Sequence, residues 1–501
     1  MQHGTGPEPG GMAGGVDSHQ HHLGRGFNWL GGATIIAKVI DFSTILAVLL
    51  FLTKQQVGIG SLVVSIAMII EAFDGLGASE ALVQAASVTR RELDTLFWFV
   101  VGAALVVAGF TLLAAPWIEA VYGVAGMSAY FIAAAVKQPL VGAALIPLAL
   151  MNRDLQYERI AIVNVAATLA AALTRLGLAA SGAGAWALVA AYAASGLFTL
   201  IGAMVARPFW PRPSFKMSDI RPLISFGVRA SASNVFEQIF KNVDYLLIGW
   251  FYGAAPLAVY RVAFDVAMEP TMAIGTLVNR TALPVFARVA AVKTQLAQSL
   301  TWSLSRLAVL TAPLMTALIL AADPLTAMIH DESGNDYSAA AVPLKVLAAA
   351  GLLRVTSQLL FPVLIGSGRP AAAARLSAAT LLLLTAGIMA AGVSFPAATG
   401  IVAVSAVWLG VYPILLIWGI RYLRQHWDIA SGDLAQAFIV PLAAIAAMVL
   451  VVGVADLLVG SVNPVIRIGI VVAAMALTYA GLIVHARRHS AAEAITGADG
   501  F

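Results

Sequence analysis

The chain has no cysteine among its 501 residues. Disulfides, thiolate metal sites and a cysteine nucleophile are thereby excluded. Charge is scarce too. Asp, Glu, Lys and Arg make up 11% of the chain, against roughly 25% in a soluble domain. No GxxxxGK[ST] run occurs, so there is no built-in ATPase of that type. No HExxH or GxSxG occurs either. Histidine is sparse and half of it sits in the N-terminal tail, where His19, His21 and His22 read as solvated residues rather than metal ligands. None of the loops between apolar runs is large enough to house a catalytic domain. These absences argue against an enzyme, a metalloprotein and a nucleic-acid binder.

Apolar sequence is what the chain has in abundance. It is 60% hydrophobic, with a mean hydropathy of +0.89. A helix needs about 20 apolar residues to cross a bilayer. Runs of that length recur to the end of the chain, which disfavours the short alternating strands of a barrel. The sequence predicts an all-α polytopic membrane protein with about 14 transmembrane helices. The first six spans are expected near 29–52, 57–76, 94–115, 127–149, 159–181 and 184–206. The next six are expected near 223–250, 256–284, 299–322, 340–366, 371–392 and 397–420, and a final pair near 434–458 and 464–485. Residues 1–26, rich in glycine and polar side chains, read as a disordered cytoplasmic tail, and 489–501 as a second tail.

Basic residues mark one side. Arg90, Arg91, Arg153, Arg159, Arg207, Arg212, Lys216, Arg288, Arg369, Arg421 and Arg488 fall in loops of one parity. The other loops hold Glu119, Asp323, Asp331, Glu332 and Asp336. The bias predicts that both termini are cytoplasmic. The longest linker, 207–222, carries Pro208, Pro211 and Pro213 and divides the first twelve spans into two sets of six. The expected domains are an N-lobe (27–206), a C-lobe (223–425) and a C-terminal helix pair (426–488). Two related six-helix lobes around a central cavity are a common transporter plan.

The charges inside apolar runs mark the candidate site. Asn234, Glu237, Lys241 and Asp244 step by three, four and three, one stripe of a helix. Arg261, Asp265 and Glu269 step by four, again one face. A charge at mid-membrane costs at least ~2.5 kcal/mol unless it meets partners or water. Both stripes are therefore expected to face an aqueous cavity, with Lys38 and Asp41 from the first span. Arg229 and Arg280 are expected at its cytoplasmic mouth, and Lys345 and Arg354 on the tenth span within it. Internal pairing is the competing reading: Lys241 with Asp244, Arg261 with Asp265 and Lys38 with Asp41 have helical pairing distance. Asp41, Glu237, Asp244, Asp265 and Glu269 are candidate ion-coupling carboxylates, since burial raises a carboxyl pKa. Glu71 and Asp74 admit an interfacial reading as well.

The run N-x-D-x-L-L-I-G-x-x-x-G-A, from Asn242 to Ala254, is followed by Tyr260. With FGVRASASN before it and LPVFARV after it, it resembles the polysaccharide transporter branch of the multidrug/oligosaccharidyl-lipid/polysaccharide flippase superfamily. DGLGASEALVQ (74–84), MNRDLQYERIA (151–161) and GAGAWALV (182–189) resemble it too, and the likeness spans about residues 28–425. The resemblance implies a bacterial inner-membrane flippase that moves undecaprenyl-diphosphate-linked oligosaccharides outward by alternating access. It implies Asn242 among the cavity residues, and a lipid-linked oligosaccharide and membrane lipids as partners. It implies a polysaccharide polymerase and export machinery as further partners downstream. No cofactor is expected beyond a proton or sodium gradient. A lipid II flippase or a multidrug antiporter of the same superfamily is the near alternative; a membrane glycan polymerase or ligase is the alternative from another class.

Overall fold

The computed structural model describes residues 13–498, apart from 74, 76, 290–291, 428–430 and 460–462. Its regular structure is helical; an isolated bridge between His330 and Asp336 is the only β pairing among the described residues. The chain forms two compact units that divide between Leu246 and Leu247. The division falls inside a helix, well past the 207–222 linker at which the two lobes were expected to part.

The first unit holds α1 (Ala13–Val48), α2 (Lys54–Glu71), α3 (Ala78–Gln84), α4 (Arg90–Tyr122), α5 (Met127–Arg153), α6 (Tyr157–Ala180) and α7 (Trp186–Ala206). It also holds α8 (Met217–Tyr252) as far as Leu246. Local sequence sets several of these ends. Thr53 and Gln56 form a reciprocal capping box at the start of α2, as do Thr89 and Glu92 at the start of α4. These side chains satisfy amides that have no partner within the helix. Gly123 ends α4 in a left-handed conformation, φ 65°, open to glycine at little cost. α5 packs between α4 and α7, and α1 lies on α6. Small residues let the helices approach: a Cβ on Gly142 would sit 3.2 Å from the Ala104 methyl.

The tail reading needs correction. α1 begins at Ala13, and no proline interrupts the chain from there to Val48. Extending a formed helix adds one hydrogen bond per residue fixed. Residues 1–12 lie outside the described residues.

The linker is docked on α4. Asp94, buried, accepts the Arg212 backbone N–H at 3.2 Å and pairs with Arg90 at 3.3 Å. Trp98 Nε1 donates to the Arg212 carbonyl at 2.9 Å. Phe209 sits in the apolar cluster of Leu96, Phe97 and Ile220. These contacts carry the chain into α8 along the first unit, and the first part of α8 joins that unit.

The second unit contains the rest of α8, α9 (Ala254–Val289), α10 (Lys293–Met328) and a 3-10 turn at Ser338–Ala340. It continues with α11 (Ala341–Gln358), α12 (Leu360–Gly366), α13 (Pro370–Ser394), α14 (Ala397–Trp427), α15 (Ser431–Val459) and α16 (Pro464–Ala498). α10 is its spine, touching α9, α11, α15 and α16. The C-terminal pair is part of this unit: Met448, Val452, Val471 and Ala474 bury against Ala317 and Ala321 of α10.

Among the described residues, eleven helical segments are long and apolar enough to cross a membrane, of the about 14 expected. α2, α8 and α9 fall outside that set. α8 and α9 are the helices with the charged stripes, and α2 carries Lys54 and Glu71 at its two ends. The charge that singles these helices out as functional also weakens their apolar signature.

Candidate functional site

The charged side chains of the first unit meet across helices that are distant in sequence. Lys137, near the middle of α5, donates to Glu71 Oε2 at 2.8 Å. Tyr192 of α7 donates to the same oxygen, and the Lys137 ammonium lies 3.5 Å from the Tyr192 ring centroid. The side chains are 10% and 26% exposed for Lys137 and Glu71. Gly196 makes this possible, since a Cβ there would lie 2.6 Å from Lys137 Cγ. Glu71 is thus part of an interhelical pair rather than an isolated interfacial acid. Asp41 pairs with Arg175 of α6 at 2.8 Å, and Arg175 also donates to Thr44 at 3.1 Å. Asp41, which the spacing set beside Lys38, thus takes a guanidinium of the facing helix as a partner, and that guanidinium reaches Thr44 as well.

α2, α3, α5 and α8 enclose an open cavity of about 280 Å³. Its polar lining is Glu71, Ser79, Glu80, Ser231, Asn234, Glu237 and Gln238. The α8 backbone closes on α3 at Gly77: φ is 69°, and a Cβ would sit 1.9 Å from the Gly227 carbonyl oxygen. Asn234 Nδ2 donates to Glu80 Oε1 at 2.9 Å. Lys241 pairs back to Glu237 at 2.5 Å. Asp244 is buried and accepts the backbone N–H of Tyr245 at 2.9 Å. Asn242, also buried, donates to the Gln238 carbonyl at 2.9 Å. The predicted α8 stripe is therefore divided. Asn234 and Glu237 line the cavity, and Lys241 adjoins it through its pair. Asn242 and Asp244 are buried and each holds a backbone hydrogen bond.

In the second unit Arg261 and Asp265 pair at 3.2 Å as the spacing predicts. Glu269, one helical turn on, is half-buried. Tyr260, fully buried, accepts from Trp408 Nε1 at 2.9 Å and stacks into the cluster of Phe264, Trp408 and Tyr412. Lys345 is corrected: it donates to both Asp323 oxygens, at 2.8 and 2.7 Å, at the end of α11 nearest the 329–337 loop. Its long stem carries the ammonium toward the helix end rather than inward. Arg354 differs. It is 7% exposed, its Nη1 lies 3.7 Å from Met268 Sδ, and no carboxylate pairs with it among the described residues. The side chains of Arg229 and Arg280, like residue Asp74, lie outside the described residues. No cluster of three or more metal-ligating side chains occurs among the described residues.

Sequence reasoning missed Lys137, Arg175, Tyr192 and Glu80 as site residues. Lys137 and Arg175 carried the same signal as the residues chosen, a charge in an apolar run. Nothing local identifies their partners.

A family model described as a polysaccharide biosynthesis protein matches residues 45–339. The chain is 26% identical over 333 residues to the teichuronic acid biosynthesis protein TuaB of Bacillus subtilis (strain 168), covering 63% of this chain and 65% of that one. It is 22% identical over 337 residues to the lipopolysaccharide biosynthesis protein WzxC of Escherichia coli (strain K12), covering 66% and 67%. The chain thus spans about two thirds of the length of the curated relatives it matches. Its fold is similar to lipid II flippase MurJ in an inward closed conformation, with TM-score 0.70, 12% identity and coverage of 91% of this chain and 99% of that one. An inward-facing multidrug resistance MATE family transporter of the MOP superfamily aligns with TM-score 0.59 and 12% identity, covering 80% and 96%.

Proposed function

The chain belongs to the polysaccharide biosynthesis protein family, and from that premise we propose that it is a membrane flippase for lipid-linked oligosaccharides. The cargo would be an undecaprenyl-diphosphate-linked repeat unit, moved by alternating access across the bacterial inner membrane for surface polysaccharide assembly. Both termini would be cytoplasmic, and a polymerase and export machinery would consume the product. The names of the curated relatives favour polysaccharide cargo over lipid II or a drug.

One observation carries the reading: Arg354 is a buried guanidinium with no carboxylate partner among the described residues. A buried cation left unpaired is costly. A diphosphate supplies the missing anion, and a guanidinium can grip it through two parallel hydrogen bonds. The cargo head must give up hydration to cross hydrocarbon, and protein side chains replace it; the lipid tail can stay in the bilayer. Most other intramembrane charges already hold internal partners, which keeps the resting protein stable.

Energy would come from a proton or sodium gradient or from downstream consumption of the cargo. Asp265 and Glu269 remain coupling candidates. The test is reconstitution of the full chain in liposomes with a fluorescent polyprenyl-diphosphate glycan. Flipping without ATP is expected, together with accumulation of lipid-linked glycan on the inner leaflet of a deletion strain. Flipping that requires ATP, or a deletion strain with no such accumulation, would overturn the proposal.

A further inference from the structure

The cavity of the first unit is the wrong place for a phosphate. Among the described residues no Lys or Arg lines it, whereas Glu71, Glu80 and Glu237 do. Glu71 is neutralised by Lys137 and Glu237 by Lys241. Glu80 has no cation among the described residues, only the Asn234 amide at 2.9 Å. Among the described residues the wall therefore keeps one uncompensated negative charge, that of Glu80.

Its hydrogen-bonding groups include acceptors that are still open. One N–H of the Asn234 amide is donated to Glu80, and the Ser231 hydroxyl donates to the Val228 carbonyl at 3.2 Å. Gln238 Oε1 is buried and accepts no hydrogen bond from the described residues. A carboxylate accepts at up to about four lone-pair positions, and one amide fills only one of them. Open acceptors on Glu80 and Gln238 stand beside donors on Ser79, Gln238 and the second Asn234 N–H, so charge rather than donor count sets the preference. The wall's complement is a group that donates without negative charge, namely hydroxyls or an amine. Phosphate and carboxylate groups bring further acceptors and like charge. At about 280 Å³ the cavity lies just below the 300 Å³ or so at which drug-sized ligand sites begin, a scale suited to one or two sugar rings.

We infer that this cavity is a sugar subsite that takes hydroxyl- or amine-bearing residues and rejects acidic ones, separate from the group that holds the diphosphate. The inference rests on the flippase reading above and assigns the cavity a selectivity which that reading does not contain.

Binding to the purified full chain in lipid nanodiscs tests it with three probes: polyprenyl diphosphate alone, the same lipid carrying glucose, and the same lipid carrying glucuronic acid. The two sugars differ only in whether the terminal carbon is an alcohol or a carboxylate. The glucosyl lipid is expected to bind about tenfold more tightly than the glucuronosyl lipid, the equivalent of roughly one hydrogen bond. Glu80→Gln keeps the volume and the acceptor for Asn234 but removes the charge, and is expected to shrink that ratio toward one. Equal binding of the two glycolipids by the wild type overturns the subsite, and so does a ratio that survives Glu80→Gln. The wild-type comparison needs no variant to fold. If polyprenyl diphosphate binds but the two sugars are not distinguished, the subsite alone fails. If none of the three lipids binds, the subsite falls together with the flippase reading.

Discussion

Replacing Lys137 by methionine tests whether the charges inside the first unit hold it together. Methionine keeps most of the length and volume but leaves the Glu71 carboxylate with the Tyr192 hydroxyl as its remaining neighbour. At 2.8 Å the gross attraction is ~6 kcal/mol for an effective dielectric near 20, most of it offset by desolvation. Removing one partner of a fully buried pair costs about 3–5 kcal/mol. Glu71 is 26% exposed, so water relieves part of the penalty and the expected loss is ~2–3 kcal/mol. Adding Glu71→Gln removes the stranded charge and should recover more than half of that loss. The assay is thermal denaturation of the detergent-solubilised protein, followed by fluorescence-detected size exclusion, with membrane abundance in parallel. Lys137→Met is expected to melt well below wild type, with the double variant between them. A single variant that melts with wild type would refute the reasoning, as would a double variant that melts below the single.

Gly77→Ala should lower membrane abundance severely, because it combines φ 69° with a Cβ placed 1.9 Å from the Gly227 carbonyl oxygen; quantitative immunoblotting of membranes checks this. Arg354→Gln should abolish liposome flipping while abundance stays near wild type, since no carboxylate is stranded among the described residues; transport counts separate this from misfolding. Reporters fused after Arg488 and inserted near Ser333 should report opposite sides of the membrane, as the loop charges require; agreement between them would defeat the topology.

Hydropathy and helical spacing are local properties, and the sequence alone sufficed for them. The apolar runs marked where the helices lie. The i,i+4 step foretold the Arg261–Asp265 pair at 3.2 Å, because within one helix spacing fixes geometry. The same rule put both Glu237 and Asp244 within reach of Lys241 on one helix face. Spacing leaves both open, and the pair at 2.5 Å is with Glu237. What tertiary structure decided was every partnership between helices. Glu71 meets Lys137 across 66 residues of sequence, Asp41 meets Arg175 across 134, and Glu80 meets Asn234 across 154. No periodicity encodes such a pair, because the distance between the two groups depends on how whole helices cross. Those crossings are set by shape rather than charge. Gly196 lets the Lys137 side chain pass across α7, and Gly77 lets α8 close on α3. A missing side chain at one position thus determines which charges, far away in sequence, come within reach of each other.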